Sequence, residues 1–391
     1  MPTRIAIGFS FAEDLQEAAY QASASAKTQL GASADLVMLF TTPAYAGAEI
    51  LDVIHSILKP ARLVGTTAPG LILTTGIFPK GLVVLAVSST DISFGTGTVA
   101  IPQDSNAHTM GFDLGQQLNS DFRSQQRQAC LLFADPVFQN HAAFFRGAQE
   151  VIGRGFPLAG AVAGGNGRAR DCQFHQKKML TQNVVGFLIG GANIGMGHAH
   201  GFKPLGKPRT VTKSHGNVIC TIDDQPAFSI YEHFLGPEAE KLKKSFSLHG
   251  ALYPLGLYMQ EQGQYLLKNA VDILPDGSIV CQGEAPEGAE VHVMIGSREA
   301  CHKSAVNAAT QAKEALGGKQ AKLVFIIESA ARHRILKNSS SMEIQAVRDV
   351  LGQGTPLVGI YAHGAIAPLG SSRGISTVHV QNGNILILGI D

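Results

Sequence analysis

The sequence lacks the features that mark several common classes of protein. Tryptophan is absent, and Asp, Glu, Lys and Arg together make up only 16% of the 391 residues. The 31 basic residues are balanced by 30 acidic ones, so we expect no nucleic-acid partner, because nucleic acids are bound through strongly basic surfaces. So few charges are typical of a chain that buries much of its surface between domains or in an oligomer, for example a homodimer.

Paired cysteines and long apolar runs are also missing. The five cysteines include no C-x-x-C pair, so neither a disulfide framework nor a zinc site is expected. Apolar runs are interrupted by glycine and polar residues before they reach the length of a membrane span, so we expect no association with a membrane. The first residues do not resemble a secretory signal, and we therefore expect a cytoplasmic protein.

What the sequence does contain is a repeated unit. An apolar run, a helix-like stretch and a second apolar run that ends in hydrophobe-Gly-x-x-x-x-Gly occur at residues 35–70, 129–165 and 321–364. Stretches with small and apolar residues at three- and four-residue spacing precede the units, which predicts helices at 15–30, 109–122 and 304–316. Each unit is followed by another strand-like run.

These patterns predict the fold class. Continuous apolar runs flanked by turns are typical of strands that are covered on both faces. We therefore predict a two-domain α/β protein with mixed sheets, built from duplicated strand–helix–strand–Gly-loop units. A segment punctuated by proline and glycine separates the second and third units, and it divides the chain into residues 1–215, with two units, and residues 216–391, with one unit and a central insertion.

The central segment carries a resemblance to a known family. Gly201-Phe-x-Pro-x-Gly206, Thr210-Val-Thr212, Gly216-Asn217 and Asp224-x-Pro226-Ala227 together resemble the junction of FIST N and FIST C domains. The stretch 266–291 and the segment 356–368 are similar to later parts of the same family. The chain departs from the family at Ala365, where Glu is frequent, and at 329–331, where a Cys is frequent before the Arg equivalent to Arg332.

This resemblance implies a sensory function. FIST proteins are input modules for histidine kinases, chemotaxis receptors and cyclic-dinucleotide enzymes, and amino acids are suggested ligands. A stand-alone branch is similar to haem proteins that sense nitric oxide in two-component systems. The resemblance thus implies a cytoplasmic small-ligand sensor that regulates a separate partner, such as a histidine kinase. The alternatives are a haem-based nitric oxide sensor and an enzyme of unknown type.

The glycine loops are the first candidate site. Backbone without side chains can approach a ligand closely, and loops at strand ends are where α/β proteins usually bind. We therefore consider Gly70, Gly165 and Gly364 as ligand-binding residues. The alternative is that these glycines allow tight packing between the repeated units.

A polar cluster is the second candidate site. Glu328 and Arg332 follow a buried strand of the third unit, and His363 lies in its glycine loop. Neighbouring parallel strands present their carboxyl ends at one edge of a sheet, so these residues are expected to lie close together. They could bind a zwitterion, with Arg332 on the carboxylate and Glu328 on the amine. A surface ion pair and an acid–base site are the alternatives.

Two histidines are candidates for metal or haem binding. His198 and His200 alternate on a predicted strand, which places both on one face, and neutral imidazole is a good ligand for haem iron. There is no C-x-x-C-H, so any haem would be bound non-covalently. The H-E-x-x-H helix of zinc proteases is absent, and we expect a binding protein and not an enzyme.

Overall fold

The computed structural model describes residues 3–102, 105–124, 126–138, 140–164, 171–370 and 377–391. The first repeat unit alternates strands and helices and then adds a hairpin and a closing strand. Its elements are β1 (Arg4–Ser10), α1 (Leu15–Leu30), β2 (Leu36–Thr41), α2 (Glu49–Leu58), β3 (Arg62–Thr67), β4 (Leu71–Leu73), β5 (Gly76–Phe78) and β6 (Leu82–Ser88). Helix α1 begins after Asp14, whose carboxylate accepts the N–H of Glu17, and ends at Gly31, where φ is 64°.

The second unit repeats this series in the same order. Its elements are β7 (Ser93–Ala100), α3 (Ala107–Asp121), β8 (Ala129–Ala134), α4 (His141–Ile152), β9 (Leu158–Val162), β10 (Gln173–His175), β11 (Lys178–Leu180) and β12 (Asn183–Gly190). The third unit begins with β13 (Ile194–His200), and the central insertion follows before its helix.

The central insertion is mainly antiparallel. Its elements are β14 (Phe202–His215), β15 (Val218–Ile222), β16 (Gln225–Pro226), α5 (Ser229–Leu235), α6 (Pro237–Lys244), α7 (Phe246–His249), β17 (Leu255–Met259), β18 (Gln264–Lys268), β19 (Ala270–Ile273), β20 (Ile279–Cys281) and β21 (Glu290–Gly296). These strands form one eight-stranded sheet. Seven of them follow the order β18-β17-β21-β14-β15-β20-β19, and β16 pairs with β15 outside this order. The aromatic residues of α5 and α7 pack against this sheet.

The third unit then resumes. Its remaining elements are α8 (Arg298–Ala315), β22 (Leu323–Ser329), α9 (Ala330–Leu336), α10 (Ser340–Leu351), β23 (Leu357–Ala362), β24 (Gly364–Leu369), β25 (Thr377–Gln381) and β26 (Asn384–Ile390). As in the other units, its two central strands are parallel and its closing strand is antiparallel to them. The predicted α/β class with mixed sheets of duplicated units is thereby confirmed.

The three units are interlocked through their hairpins. The six-stranded sheets run β1-β6-β2-β3-β10-β11, β25-β24-β9-β8-β12-β7 and β13-β26-β22-β23-β4-β5. The β4–β5 hairpin of the first unit therefore extends the sheet of the third unit. The β10–β11 hairpin of the second unit extends the sheet of the first unit, and the β24–β25 hairpin of the third unit extends the sheet of the second unit. Because each unit completes its neighbour's sheet, we expect none of the three to be stable alone.

The three sheets bury a common apolar core. Phe40, Phe133 and Phe325 come from the three units, and the ring of Phe40 lies 5.6 Å from that of Phe133 and 5.4 Å from that of Phe325, centroid to centroid. All three side chains are almost fully buried. The sheets thus use one face for this shared core, while the helices cover the opposite faces with separate cores.

The repeated glycines have a packing role at their first position. Gly65, Gly160 and Gly359 occupy equivalent places in β3, β9 and β23, each opposite the other central strand of its unit, which is β2, β8 or β22. A Cβ at Gly65 would collide with the carbonyl oxygen of Leu39, and the other two glycines meet the matching carbonyls of their units. The first glycine of each motif therefore allows close approach of backbone.

The domain division near residue 215 stays a prediction. Strand β13 precedes that point in the chain, and it pairs along its whole length with β26, from Ile194 opposite Ile390 to His200 opposite Asn384. No helix in the described part of the chain is both long and apolar enough to cross a membrane.

Candidate functional site

Two adjoining cavities lie where the second unit, the hairpin of the third unit and the central sheet meet. We call the first, of about 460 Å³, the lysine cavity, and the second, of about 530 Å³, the amide cavity. Four residues line both of them: His141, Gly216, Glu284 and Val380. Volumes of this size are those of small-molecule sites in proteins.

The elements around the cavities explain their position. His141 is the first residue of α4, Gly216 lies in the turn between β14 and β15, and Val380 is on β25. The amide cavity also includes Phe138 and Val162, which lie at the carboxyl ends of the parallel strands β8 and β9. Sites in α/β proteins usually form at this edge of a sheet, beyond the strand ends.

Lys268 is the main charged group inside the lysine cavity. It is the last residue of β18 and only 6% exposed, and it shares the inward face of that strand with Leu266. Burial lowers the pKa of Lys268 from 10.5 to about 8, while nearby Cys281 and Glu284 act in the opposite direction. Since this value is above 7, the ammonium form still predominates at neutral pH.

The Lys268 ammonium forms no ion pair within 4 Å among the described residues, and the Glu284 carboxylate acts on it only from a greater distance. None of their ion pairs or side-chain hydrogen bonds includes it. Burial raises the pKa of the Cys281 thiol to about 12, so this thiol is neutral. Glu284 lines the cavity but is itself exposed to solvent. A buried ammonium without a partner is unusual, because taking a charge out of water is costly unless it is paired.

The cavity histidines are neutral. Burial lowers the pKa of His141 to about 3 and that of His379 to about 4, and the charge of Lys268 adds to both effects. Nε2 of His379 lies 2.9 Å from the hydroxyl of Thr377. Nε2 of His141 is buried and has no hydrogen-bond partner among the described residues. Among the described residues the site thus offers one cation to a ligand, because the unpartnered Nε2 atom of His141 is closed to solvent.

A chain of amide side chains connects the cavities to the third unit. The Asn269 side chain donates to Gln282 Oε1 at 2.9 Å, and Asn382 donates to the same oxygen at 2.9 Å. Asn382 also donates to the carbonyl of His363 at 3.1 Å, and its own Oδ1 accepts the backbone N–H of Asn269 at 3.0 Å. Because Asn269 follows Lys268, a ligand on the lysine would act on a residue next to this network.

The predicted glycine sites lie in different surroundings. Gly364 lines the amide cavity together with His363, and burial lowers the pKa of His363 to about 4. Gly70 is buried instead, and a Cβ there would lie 3.1 Å from the ring of Tyr361. Gly165 lies outside the described residues. The geometry therefore places Gly364 at a cavity and Gly70 in packing, and a role in ligand binding stays a prediction for all three.

The structure does not form the predicted zwitterion pocket from Glu328, Arg332 and His363. Arg332 and Glu328 are buried in the third unit, with Nε of Arg332 3.5 Å from Glu328 Oε1, and neither lines the cavity of His363. The Arg332 guanidinium also binds Glu343, the Ser304 hydroxyl at 2.9 Å and the Cys301 carbonyl at 3.0 Å. The alternative of a surface ion pair does not fit either, because Arg332 is fully buried.

The predicted zwitterion pocket does not form because Glu343, a residue of α10, binds the Arg332 guanidinium. Glu343 is 1% exposed and pairs with Arg332 across 11 residues, a contact that the spacing of Glu328 and Arg332 does not indicate. Burial raises the pKa of the Glu328 carboxyl, and the Arg332 charge opposes that rise. Arg332 therefore pairs with two buried acids and holds α8, α9 and α10 together.

His198 and His200 do lie on one strand, as predicted, but they line neither junction cavity. Burial lowers the pKa of each to about 4, so both rings are neutral. Nδ1 of His200 accepts the backbone N–H of Phe202 at 3.3 Å. Among the described residues, no group of three or more His, Cys, Asp or Glu side chains could hold a metal ion. Haem iron needs only one or two protein ligands, so a haem role for His198 and His200 stays a prediction.

Lys268 is the residue that sequence reasoning missed. It lies in the run Tyr265-Leu-Leu-Lys268, where period-two alternation places it on the same face as the buried Leu266. A charged residue at an inward strand position is a signal that the sequence does contain. The cavity around it could not be predicted, because His141, Glu284 and His379 come from distant parts of the chain.

Comparisons with known proteins give consistent matches over most of the chain. The model of the FIST N domain matches residues 35–225, and the model of the FIST C domain matches residues 227–368. An uncharacterized protein of Mycobacterium tuberculosis (strain ATCC 25618 / H37Rv) is 26% identical over 377 residues, which is 94% of this chain and 95% of that protein. An uncharacterized protein of Mycobacterium bovis is 22% identical over 375 residues, with 94% of each covered.

One solved structure aligns with nearly all of the chain. It is a cyanuric acid hydrolase from A. caulinodans, 7% identical, with a TM-score of 0.39 and coverage of 99% of each chain.

Proposed function

The chain belongs to the FIST family, whose domains are small-ligand sensory domains of signalling proteins, and we propose that it binds a small molecule in the two junction cavities and relays the binding to a separate signalling partner. The partner class that the family suggests is a histidine kinase or a comparable signalling protein. We further propose that the protein works inside the cell, by binding and not by turnover.

One observation carries this proposal: the cavities are lined from both family domains. His141 and Gly216 lie in the segment matched by FIST N, while Lys268 and Glu284 lie in the segment matched by FIST C. A ligand in contact with both segments binds best to one arrangement of them. By linkage, it then shifts the population toward that arrangement.

The amide network provides a route for such a shift. Asn269 and Gln282 belong to the central sheet, whereas Asn382 follows the hairpin strand β25 of the third unit. That hairpin is part of the second unit's sheet. Movement of the central sheet would therefore change contacts in both the second and the third repeat unit. The network is not fully satisfied, because Oδ1 of Asn269 is buried without a hydrogen-bond partner among the described residues.

The haem alternative is less well supported by the geometry. Its candidate ligands, His198 and His200, lie outside both junction cavities. A haem-based sensor of nitric oxide stays a prediction that a spectrum can decide.

The test uses a substitution that fills the cavity. Ala142 is half-buried in the first turn of α4 and lines the lysine cavity, so Ala142→Phe should occupy ligand space. Compounds extracted from the purified protein would be identified by mass spectrometry, and a metabolite library would be screened by thermal shift. A ligand at 100 times its Kd stabilises the protein by about 2.7 kcal/mol, which such a screen detects easily.

The matched control is Arg146→Phe, which adds the same ring at an exposed position of the same helix, outside both cavities. We expect ligands to stabilise the wild-type protein and Arg146→Phe equally and to lose their effect on Ala142→Phe. A ligand that stabilises all three proteins to the same degree would place the binding site elsewhere and contradict the proposal.

A further inference from the structure

Lys268 indicates the chemical class of the ligand. We propose, resting on the proposed function, that the lysine cavity binds a small monocarboxylate with an apolar body, whose carboxylate pairs with the buried ammonium of Lys268. The proposal rests on the position of this side chain, on the absence of a close ion pair to it among the described residues, and on the chemistry of the cavity walls.

The first observation is the location of the charge. The side chain of Lys268 is more than nine-tenths buried and lines the lysine cavity. A Cβ placed on Gly283, which lines the amide cavity, would lie 2.8 Å from Lys268 Nζ, so the ammonium lies close to both cavities. Its lowered pKa, about 8, is consistent with a charge that the protein itself leaves uncompensated. An anion bound there would supply the missing partner.

The second observation is the number of charges. Lys268 is the only Lys or Arg among the described residues that line the two cavities, and His141, His363 and His379 are neutral at pH 7. One cation balances one negative charge. A phosphate dianion would leave a buried charge without compensation, which is costly, so the ligand class that fits is a monoanion.

The third observation is the apolar wall. The lysine cavity is lined mainly by aliphatic side chains: Leu257, Met259, Leu266, Ala285, Pro286, Val378 and Val380. Such a wall favours a hydrocarbon body over a second charged group. The one acid in the wall, Glu284, is exposed, so an ammonium group next to the carboxylate would gain little from it. This is why we infer a simple carboxylate in preference to an amino acid.

The experiment compares three ligands with one carbon skeleton. Binding of 4-methylpentanoate, 4-methylpentanamide and leucine would be measured by calorimetry at pH 7, next to straight-chain carboxylates from acetate to octanoate and inorganic phosphate. The proteins are the wild type, Lys268→Met and the control Lys213→Met, which removes an exposed lysine of β14 in the same sheet. Circular dichroism verifies that each variant is folded.

We expect 4-methylpentanoate to bind the wild type and Lys213→Met equally, and to bind Lys268→Met at least tenfold more weakly. The neutral amide should bind the wild type at least tenfold more weakly than the acid, and leucine and phosphate should bind more weakly than the acid. Above pH 8 the wild type should take up a proton on binding, visible as a dependence of the heat on the buffer, and Lys268→Met should not.

Three outcomes would overturn the inference: no carboxylate of the series binds the wild type, the amide binds as well as the acid, or leucine binds more tightly than 4-methylpentanoate. These outcomes are distinct from a failure of the proposed function. If a non-carboxylate ligand is found whose effect is lost in Ala142→Phe, the sensory site stands and only the ligand class is wrong.

Discussion

Replacing Lys268 with methionine should make the protein more stable. Methionine has a similar length and no charge, so Lys268→Met keeps the packing of a side chain that is 6% exposed and removes a buried ammonium. Burial lowers the pKa of Lys268 from 10.5 to about 8. Each unit of this pKa difference corresponds to about 1.36 kcal/mol, so burial raises the free energy of the charged form by about 3 kcal/mol in the folded state. We expect Lys268→Met to gain about that much in its free energy of unfolding at pH 7.

The gain should depend on pH in a defined direction. Between pH 8 and 10.5 the folded protein holds fewer protons on Lys268 than the unfolded chain, so the wild type becomes more stable as pH rises through this window. The advantage of Lys268→Met should therefore be full below pH 8 and nearly gone above pH 10.5.

Urea unfolding at pH 7, 9 and 10.5 measures this difference, on proteins first freed of small molecules by desalting in urea and refolding. Lys213→Met provides the control, because its lysine is exposed and the difference from wild type should stay within about 0.5 kcal/mol at every pH. If Lys268→Met is no more stable than the wild type at pH 7, or if its advantage does not change with pH, the ammonium is not buried without a partner and the reasoning on the ligand fails.

Further predictions concern the residues that were singled out in the sequence. Arg332→Met should destabilise the protein by about 3–5 kcal/mol, because it leaves Glu328 and Glu343 buried without a cation. Urea unfolding measures this loss, and a variant of unchanged stability would show that Arg332 is not essential to the fold. Gly65→Ala should cost more than about 2 kcal/mol, since its Cβ collides with the Leu39 carbonyl, whereas Gly354→Ala has open space and should stay within about 1 kcal/mol of the wild type; equal effects of the two would refute the packing role. Haemin added to the purified protein should give the same absorption spectrum with the wild type and with His198→Ala/His200→Ala; a Soret band that the double variant loses would restore the haem hypothesis.

Patterns that depend on neighbours in the chain could be read from the sequence. The helix predicted at 15–30 is α1, and that predicted at 109–122 is α3 to within two residues; the one predicted at 304–316 is α8, which begins earlier, at Arg298. The buried parallel strands of each unit were visible as continuous apolar runs, because burial on both faces requires apolar side chains at every position. The sensory family followed from motifs whose order along the chain is itself a property of the sequence.

What the sequence could not predict depends on contacts between distant residues. The exchange of hairpins among the three sheets joins β4 to β23 and β24 to β9, and no local pattern indicates which sheet a short hairpin will extend. The partners of buried charges are likewise not indicated by any local pattern in the sequence. Arg332 was assigned to a ligand because Glu343 was not known to reach it, and Lys268 was overlooked because its lack of a partner appears only when the surrounding residues are in place. Hydrophobic periodicity determines which face of an element is buried, but only the tertiary structure determines what that face meets, because pairing energies depend on distance in space and not on distance along the chain.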